Sequence, residues 1–251
     1  MSVPGFEIRH FEEIDSTNTY LVNEARNGAT HGLVVTAHHQ SSGRGRLGRT
    51  WEAPPGASLL ASILLSVPLD ASQLFLASVV VGLAARQAIE ELTGTGPMLK
   101  WPNDLLFDEK KVSGLLAELV DRPQTTSTEG YLIVVGIGIN LTWPGPPEAQ
   151  GTSILEHTGV TISTERMLEA LLSQLAIRIE QLHNPARHSE ILDELRRHLA
   201  TLGSTVRIEL IDEEVIGRAI DVTNDGHLVL ETEAGRREIV TGDVIHLRTY
   251  L

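Results

Sequence analysis

Arg44, Arg46 and Arg49 fall within six residues, each preceded or closely flanked by glycine, in the run from Gln40 through Gly43-Arg44-Gly45-Arg46-Leu47-Gly48-Arg49 to Trp51. Guanidinium forks suit phosphate and carboxylate oxygens. Glycine, lacking Cβ, lets the backbone turn at φ > 0 and come close to a ligand. The chain as a whole is acidic, with 33 Asp+Glu against 20 Lys+Arg and a formal net charge of −13. A short positive loop on such a chain reads as a clamp for a small, multiply charged anion. Arg-Gly repeats also occur in flexible RNA-binding segments. Against that alternative, this stretch ends abruptly at Trp51, has no low-complexity surroundings, and sits on a chain without the basic balance of nucleic-acid binders.

Three further segments carry chemistry. Asp15-Ser16-Thr17-Asn18 stands at a predicted helix start. Capping alone accounts for Asp or Ser there, but the hydroxyls, the amide and the exposed helix N–H groups also suit a polar ligand head. In Lys100-Trp101-Pro102-Asn103-Asp104, Pro102 interrupts strand character and leaves Asn103 and Asp104 at a bend. Lys111 then enters a strand among apolar neighbours, where an ammonium needs an anionic partner or ligand; a solvated hairpin charge is the plainer alternative. In Gly136-Ile137-Gly138-Ile139-Asn140, alternate glycines permit close backbone approach, with Asn140 at the strand end. The last segment lacks the strand–loop–helix setting of a dinucleotide fingerprint.

The elements that must position these groups follow from periodicity. Strands are predicted over Phe6–Glu13, Gly32–Ala37, Leu59–Val67, Met98–Trp101, Asp104–Phe107, Lys111–Val120 and Tyr131–Ile139. Helices are predicted from the Asp15-Ser16 cap to Arg26, over Ala71–Leu92, Thr164–Leu182 and Ser189–Leu202. Strands and helices interspersed around one sheet make an α/β or α+β layer. After Gly203 the pattern changes: Val206, Ile208 and Leu210 alternate with polar residues, and turns are signalled at Asn224-Asp225-Gly226, Ala234-Gly235 and Thr241-Gly242-Asp243. A division into residues 1–202 and a small β-barrel over 203–251 is expected.

Composition narrows the class. With 251 residues the chain can hold one sizeable core plus a small second unit. The absence of cysteine excludes disulfides, thiolate metal sites and a cysteine nucleophile, and fits a cytoplasmic location. His38 and His39 would point to opposite faces of a strand, and no His-Glu-x-x-His spacing occurs among the ten histidines, so no structural metal is expected. The N-terminus lacks the pattern of a secretory signal, and the apolar stretch Leu74–Ala85 is shorter than the roughly 20 residues that span a bilayer. No Gly-x-x-x-x-Gly-Lys-Ser/Thr occurs, which excludes a P-loop ATPase.

Taken together and in order, Ser16-Thr17-Asn18, Gln40, the Gly43–Arg49 loop with Trp51, Lys100-Trp101-Pro102-Asn103-Asp104, Lys111 with Gly114, and Gly136-x-Gly138-x-Asn140 resemble the biotin–protein ligases, the biotin–[acetyl-CoA-carboxylase] synthetases. The likeness runs from about Phe6 to the C-terminus; Leu115-Leu116-Ala117 departs mildly from the usual Ile-Leu-Val. The resemblance implies an α+β fold: a central mixed sheet with flanking helices, class II synthetase-like, plus a C-terminal SH3-like β-barrel. Only about 15 residues precede Ser16, so an enzyme-only form without a DNA-binding domain is expected. It implies ATP-dependent formation of biotinyl-5′-AMP with Mg²⁺, then transfer of biotin to a lysine of a biotin carboxyl carrier. A homodimer is neither required nor excluded.

By the same resemblance, Ser16, Thr17, Asn18, Gln40, Gly43, Arg44, Gly45, Arg46 and Lys111 bind biotin. Arg44, Arg49, Trp51, Trp101, Asn103 and Asn140 line the nucleotide side, and Lys111, Asp104 and Arg46 act in catalysis. Asp104 orients the acceptor amine or takes its proton, and the arginine loop closes over the reactive anhydride. Lipoate–protein ligases share the adenylation logic, and a non-catalytic biotin sensor is a further reading; the two specific motifs, Lys111 and Asp104 favour the biotin enzyme.

Overall fold

The computed structural model describes residues 3–68, 73–121, 130–210, 213–240 and 242–246. Its main sheet opens with a βαβ unit: β1 (Glu7–Ile14) and β2 (Leu33–Gln40) pair in parallel, joined by α1 (Thr17–Arg26). Ser16 caps α1, its hydroxyl accepting from the Thr19 N–H at 3.4 Å. Then β3 (Ser58–Val67), β4 (Met98–Lys100), β5 (Asp104–Phe107), β6 (Lys110–Leu119) and β7 (Tyr131–Asn140) complete seven strands in the order β1-β2-β3-β7-β6-β5-β4. Every pairing after the first is antiparallel.

The two faces of this sheet differ. Ile63, Leu65, Val135, Ile137 and Leu115 pack with α2 (Phe75–Thr93), α4 (Thr164–Leu182) and α5 (His188–His198) in the large core. Side chains alternate across a strand, so Leu33, Val35, Leu64 and Val134 face the other way, where α1 covers them through Leu21 and Ala25. α1 is short, and beyond its N-terminus the same face carries Gly114, Gly136 and Gly138. The uncovered patch of sheet is the floor of the site.

The predicted helix over Ala71–Leu92 is observed as α2; its residues 71–72 lie outside the described residues. The helix predicted to Leu202 stops at His198 because Leu199 turns extended and bridges to Leu99, with the Ala200 N–H donating to Leu99 O at 2.8 Å. A short helix, α3 (Ile154–Thr158), was below the length at which periodicity is readable. Beyond Gly203, at φ 82°, the strands β8 (Thr205–Glu209), β9 (Glu214–Val222), β10 (Leu228–Thr232), β11 (Gly235–Ile239) and β12 (Asp243–His246) form an antiparallel sheet in the order β11-β10-β9-β8-β12.

This sheet is open: among the described residues β11 and β12 are not paired, so the expected small β-barrel is observed as a five-stranded antiparallel sheet without a closing seam. Closure would need a hydrogen-bonded seam between the end strands. β12 instead pairs only with β8 and lends Asp243, Val244 and Ile245 to the wall of the main cavity. Thr241 of the third predicted turn lies outside the described residues. Among the described residues no helix is long and apolar enough to cross a membrane.

His31, before β2, sits half-buried where its Nδ1 accepts from the Ser66 N–H at 3.2 Å, and burial together with the neighbouring His183 ring lowers its pKa. The folded chain therefore holds His31 neutral, while the unfolded chain protonates near the ordinary value of about 6.5. Its contribution to stability is complete above that value and declines as pH falls toward the lowered one. Acidification from about pH 7.5 to about 5.5 is expected to lower Tm, and His31→Gln to flatten part of that slope. Superimposable Tm–pH profiles for the two proteins would remove His31 from the account.

Candidate active site

Over the glycine floor lies a cavity of about 700 Å³, within the ordinary range for small-molecule sites. Every residue given a binding or catalytic role from the sequence lines it except Gly43; Asp15 and Gly48 of the same motifs do not. The floor is two paired strands with glycine at three facing positions: Gly138 faces Gly114, and Gly136 faces Leu116. Their openness is already used. A Cβ on Gly136 would overlap Asn18 Oδ1, one on Gly138 would overlap the Trp51 ring, and one on Gly114 would come within 2.9 Å of the Lys111 ammonium. Trp51 thus lies against the floor, with Lys111 Nζ 5.5 Å from its ring centroid, and its buried indole N–H has no hydrogen-bond partner.

At the closed end, the start of α1 meets β2, β3 and β6 in a polar pocket. Gln40 Oε1 accepts from the Thr17 N–H at 2.8 Å and lies 3.0 Å from its hydroxyl. Ser62 Oγ lies 2.7 Å from Thr17 Oγ1 and 2.5 Å from Asn18 Oδ1. Ser16, Thr17, Asn18 and Ser62 are all buried. Buried polar groups so densely cross-linked are held in one arrangement.

The arginine loop differs from the expectation in two of its glycines. Gly48 adopts positive φ, at 74°, and so does the non-glycine Leu47 beside it, at 55°. Gly45 is extended at φ −119°, and Gly43 is needed because a Cβ there would strike the Trp51 carbonyl. The close approach at Gly43 is therefore between the two legs of the loop. The legs are cross-braced, Trp51 N donating to Gly43 O at 3.0 Å and Gly45 N to Arg49 O at 2.7 Å.

Four of the cations around the cavity each meet an oxygen from a different element. Lys111 Nζ is 2.7 Å from Asp104, Arg44 Nη2 is 2.9 Å from Glu118, and Arg49 pairs with Asp243 of β12. Arg46 donates to Asn103 Oδ1 at 3.2 Å. Lys100 lies half-buried beside them; burial lowers its pKa, Lys111 and Arg49 act in the same sense, and Asp104 and Asp243 oppose them. The anionic partner expected for Lys111 is Asp104.

The turn that carries Asn103 and Asp104 is more tightly held than a proline-induced bend. Asn103 donates from Nδ2 to Leu115 O at 2.7 Å and accepts from the Leu115 N–H at 2.9 Å. Trp101 is buried; its indole N–H donates to Gly226 O at 2.9 Å, so its backbone and ring edge border the cavity while its polar atom serves the C-terminal sheet. Asn140 Nδ2 donates to Thr152 O at 3.0 Å, tying the end of β7 to the segment before α3. Ser62, Glu118 and Asp243 join the site without having been singled out. A serine inside an apolar strand and a glutamate in pleat register with Gly114 were readable signals; nothing local marked Asp243.

Comparison with known proteins agrees with this geometry. Residues 10–140 match the Biotin/lipoate A/B protein ligase family, and residues 201–247 match the Biotin protein ligase C terminal domain. The chain belongs to the biotin/lipoate protein ligase family. It is 35% identical over 243 residues to the biotin–[acetyl-CoA-carboxylase] ligase of Mycobacterium tuberculosis, covering 93% of this chain and 86% of that protein. The bifunctional ligase/repressor of Bacillus subtilis is 26% identical over 248 residues, with 96% and 74% covered. Among solved structures, the Aquifex aeolicus biotin protein ligase in complex with biotin and ATP superposes with a TM-score of 0.80 at 30% identity, over 97% of this chain and 99% of that one.

The floor can be tested independently of activity. Gly138→Ala is expected to displace Trp51, shift tryptophan emission and destabilise the fold by about 1–3 kcal/mol through overpacking. Chemical unfolding followed by fluorescence reads both effects; an unchanged spectrum and midpoint would mean that Trp51 does not rest on the floor.

Proposed function

We propose that this chain is a biotin–protein ligase: it joins biotin to AMP at the expense of ATP and transfers the biotinyl group to a lysine of a biotin carboxyl carrier of the acetyl-CoA carboxylase type. The observation that carries the reading is the Lys111–Asp104 pair, set between a polar closed pocket and a rim of Arg44, Arg46, Arg49 and Lys100. The family assignment and the biotin- and ATP-bound relative of similar fold support it. The division at residues 202/203 into a ligase unit and a terminal unit, and action in the cytoplasm, belong to the same proposal.

In the first step a biotin carboxylate oxygen attacks the α-phosphorus of ATP and pyrophosphate leaves. Two unit charges at 4 Å repel by roughly 4 kcal/mol at an effective dielectric near 20, about a thousandfold in rate. Lys111 and the arginines supply the opposing charge where anion meets anion. Thr17, Asn18 and Gln40 with Ser16 offer the closed pocket to the ureido ring, whose N–H and C=O groups need matched partners. A lipoyl dithiolane has neither group, which favours biotin over lipoate. The unpartnered Trp51 N–H and the nearby Asn103 and Asn140 border the nucleotide side. Among the described residues no group of three or more acidic or histidine side chains could hold a metal, and Asp104, Glu118 and Asp243 are ion-paired. Mg²⁺ would come with the triphosphate, where one or two carboxylates beside the phosphates suffice to hold it.

In the second step the carrier amine attacks the acyl carbon, AMP leaves, and the amine's proton must go to a base. Once Lys111 turns to the adenylate, Asp104 is released to accept that proton. The same carboxylate thus serves first as counter-ion and then as base.

ATP–pyrophosphate exchange, run separately with biotin and with lipoate, is expected to depend on biotin; exchange only with lipoate would overturn the assignment. Asp104→Asn is expected to retain single-turnover adenylate formation while slowing transfer to carrier by about 10²–10⁴-fold. Equal loss in both steps would refute the division of labour.

A further inference from the structure

Glu118 lies in β6 two residues beyond Leu116 and four beyond Gly114, so the pleat places it on the glycine-floored face. Its carboxylate touches two parts of the site at once. Oε2 accepts from Asn18 Nδ2 at 2.9 Å and from Arg44 Nη1 at 3.1 Å, while Oε1 lies 2.9 Å from Arg44 Nη2. Arg44 is thereby held by both oxygens in the forked geometry that favours guanidinium over ammonium.

The contact with Asn18 fixes the sense of its amide. Nδ2 donates to Leu116 O at 3.1 Å as well as to Glu118, so both of its hydrogens are spent on β6. A reversed amide would set its oxygen against two acceptors. Asn18 Oδ1 is consequently turned to accept the Ser62 hydroxyl proton; Ser62 Oγ can then accept from Thr17 Oγ1, and the Thr17 backbone N–H donates to Gln40 Oε1 at 2.8 Å. One hydrogen-bonded line runs from Arg44 through Glu118, Asn18, Ser62 and Thr17 to Gln40. It connects the arginine loop, at the mouth of the cavity, with the closed pocket.

We propose that Glu118 is a positioning residue for biotin capture: it sets the amide of Asn18 and ties the pocket that receives the ureido head to the placement of the arginine loop through Arg44. The inference rests on the biotin–ligase reading. Glu118 need not touch substrate; it acts through Asn18 and Arg44. Removing its charge slackens the loop over a filled pocket, so biotin is held more weakly and the adenylate escapes more readily.

The experiment is biotin-dependent ATP–pyrophosphate exchange on the full chain, with KM measured separately for biotin and ATP, together with biotin labelling of a bystander protein. Glu118→Gln keeps an acceptor for Asn18 but loses the charge that holds Arg44. It is expected to raise KM for biotin about tenfold, leave KM for ATP within about twofold, and increase bystander labelling. Arg44→Lys, which cannot engage both carboxylate oxygens, is expected to reproduce the rise in KM for biotin and in bystander labelling whether or not the first variant folds; the unchanged KM for ATP is asked of Glu118→Gln alone. Combining the two substitutions should add little to either alone. Equal rises in both KM values, or additive effects in the double variant, would overturn the role of Glu118. Absence of biotin-dependent exchange in the unaltered chain would overturn the functional reading itself, and this inference with it.

Discussion

A sheet face must be covered, and here the cover is deliberately short. α1 seals Leu33, Val35, Leu64 and Val134, then begins abruptly at Ser16, so the strands beyond it have no helix above them. Large side chains there would fill the space, and polar ones would need partners of their own. Glycine at 114, 136 and 138 resolves the conflict: the backbone groups are satisfied by their ladders, and the surface stays low. Everything else in the site is arranged relative to that low surface, with Asn18 settled on Gly136, Trp51 on Gly138 and Lys111 over Gly114.

The second organising principle is charge held in reserve. Lys111, Arg44 and Arg49 would repel one another if left bare in a semi-enclosed cavity, so each is matched to a carboxylate from β5, β6 or β12. These matches keep the cations in place without an anionic ligand, and a phosphate or carboxylate substrate competes for them instead of having to order them. Exposed ion pairs contribute little to stability on their own. Their value in this setting is directional, since they fix where the forks and the ammonium wait.

Much of this was legible before any coordinates. Strongly patterned segments such as Thr164–Leu182 and the Ser16-capped helix matched closely, because core-facing periodicity and a capping hydroxyl are local signals. The clustering of Gln40, Lys100–Asp104, Lys111 and Asn140 was readable because each motif carries residue types that ordinary strands avoid. What escaped depended on distance in the chain. Asp243 meets Arg49 across 194 positions, and Glu118 meets Asn18 across 100. Of the glycines of the arginine loop, Gly48 makes the expected left-handed turn, whereas the close approach at Gly43 is to Trp51 of the same chain. The open C-terminal sheet likewise reflects where β12 is spent, which no turn signal encodes.

The Trp101 joint has an architectural consequence. Its main-chain N–H donates to Thr201 Oγ1 at 3.1 Å and its indole N–H to Gly226 O at 2.9 Å, one residue from Pro102 and three from Asp104. Arg196 adds a second rivet, reaching Asp221 at 2.8 Å and Val222 O at 2.7 Å. The terminal sheet is thus part of the mounting of the catalytic turn rather than an appendage. A chain cut after Leu202 would retain Thr201 and every motif of the ligase unit and still lose the Gly226 anchor of the Trp101 ring, three residues from Asp104.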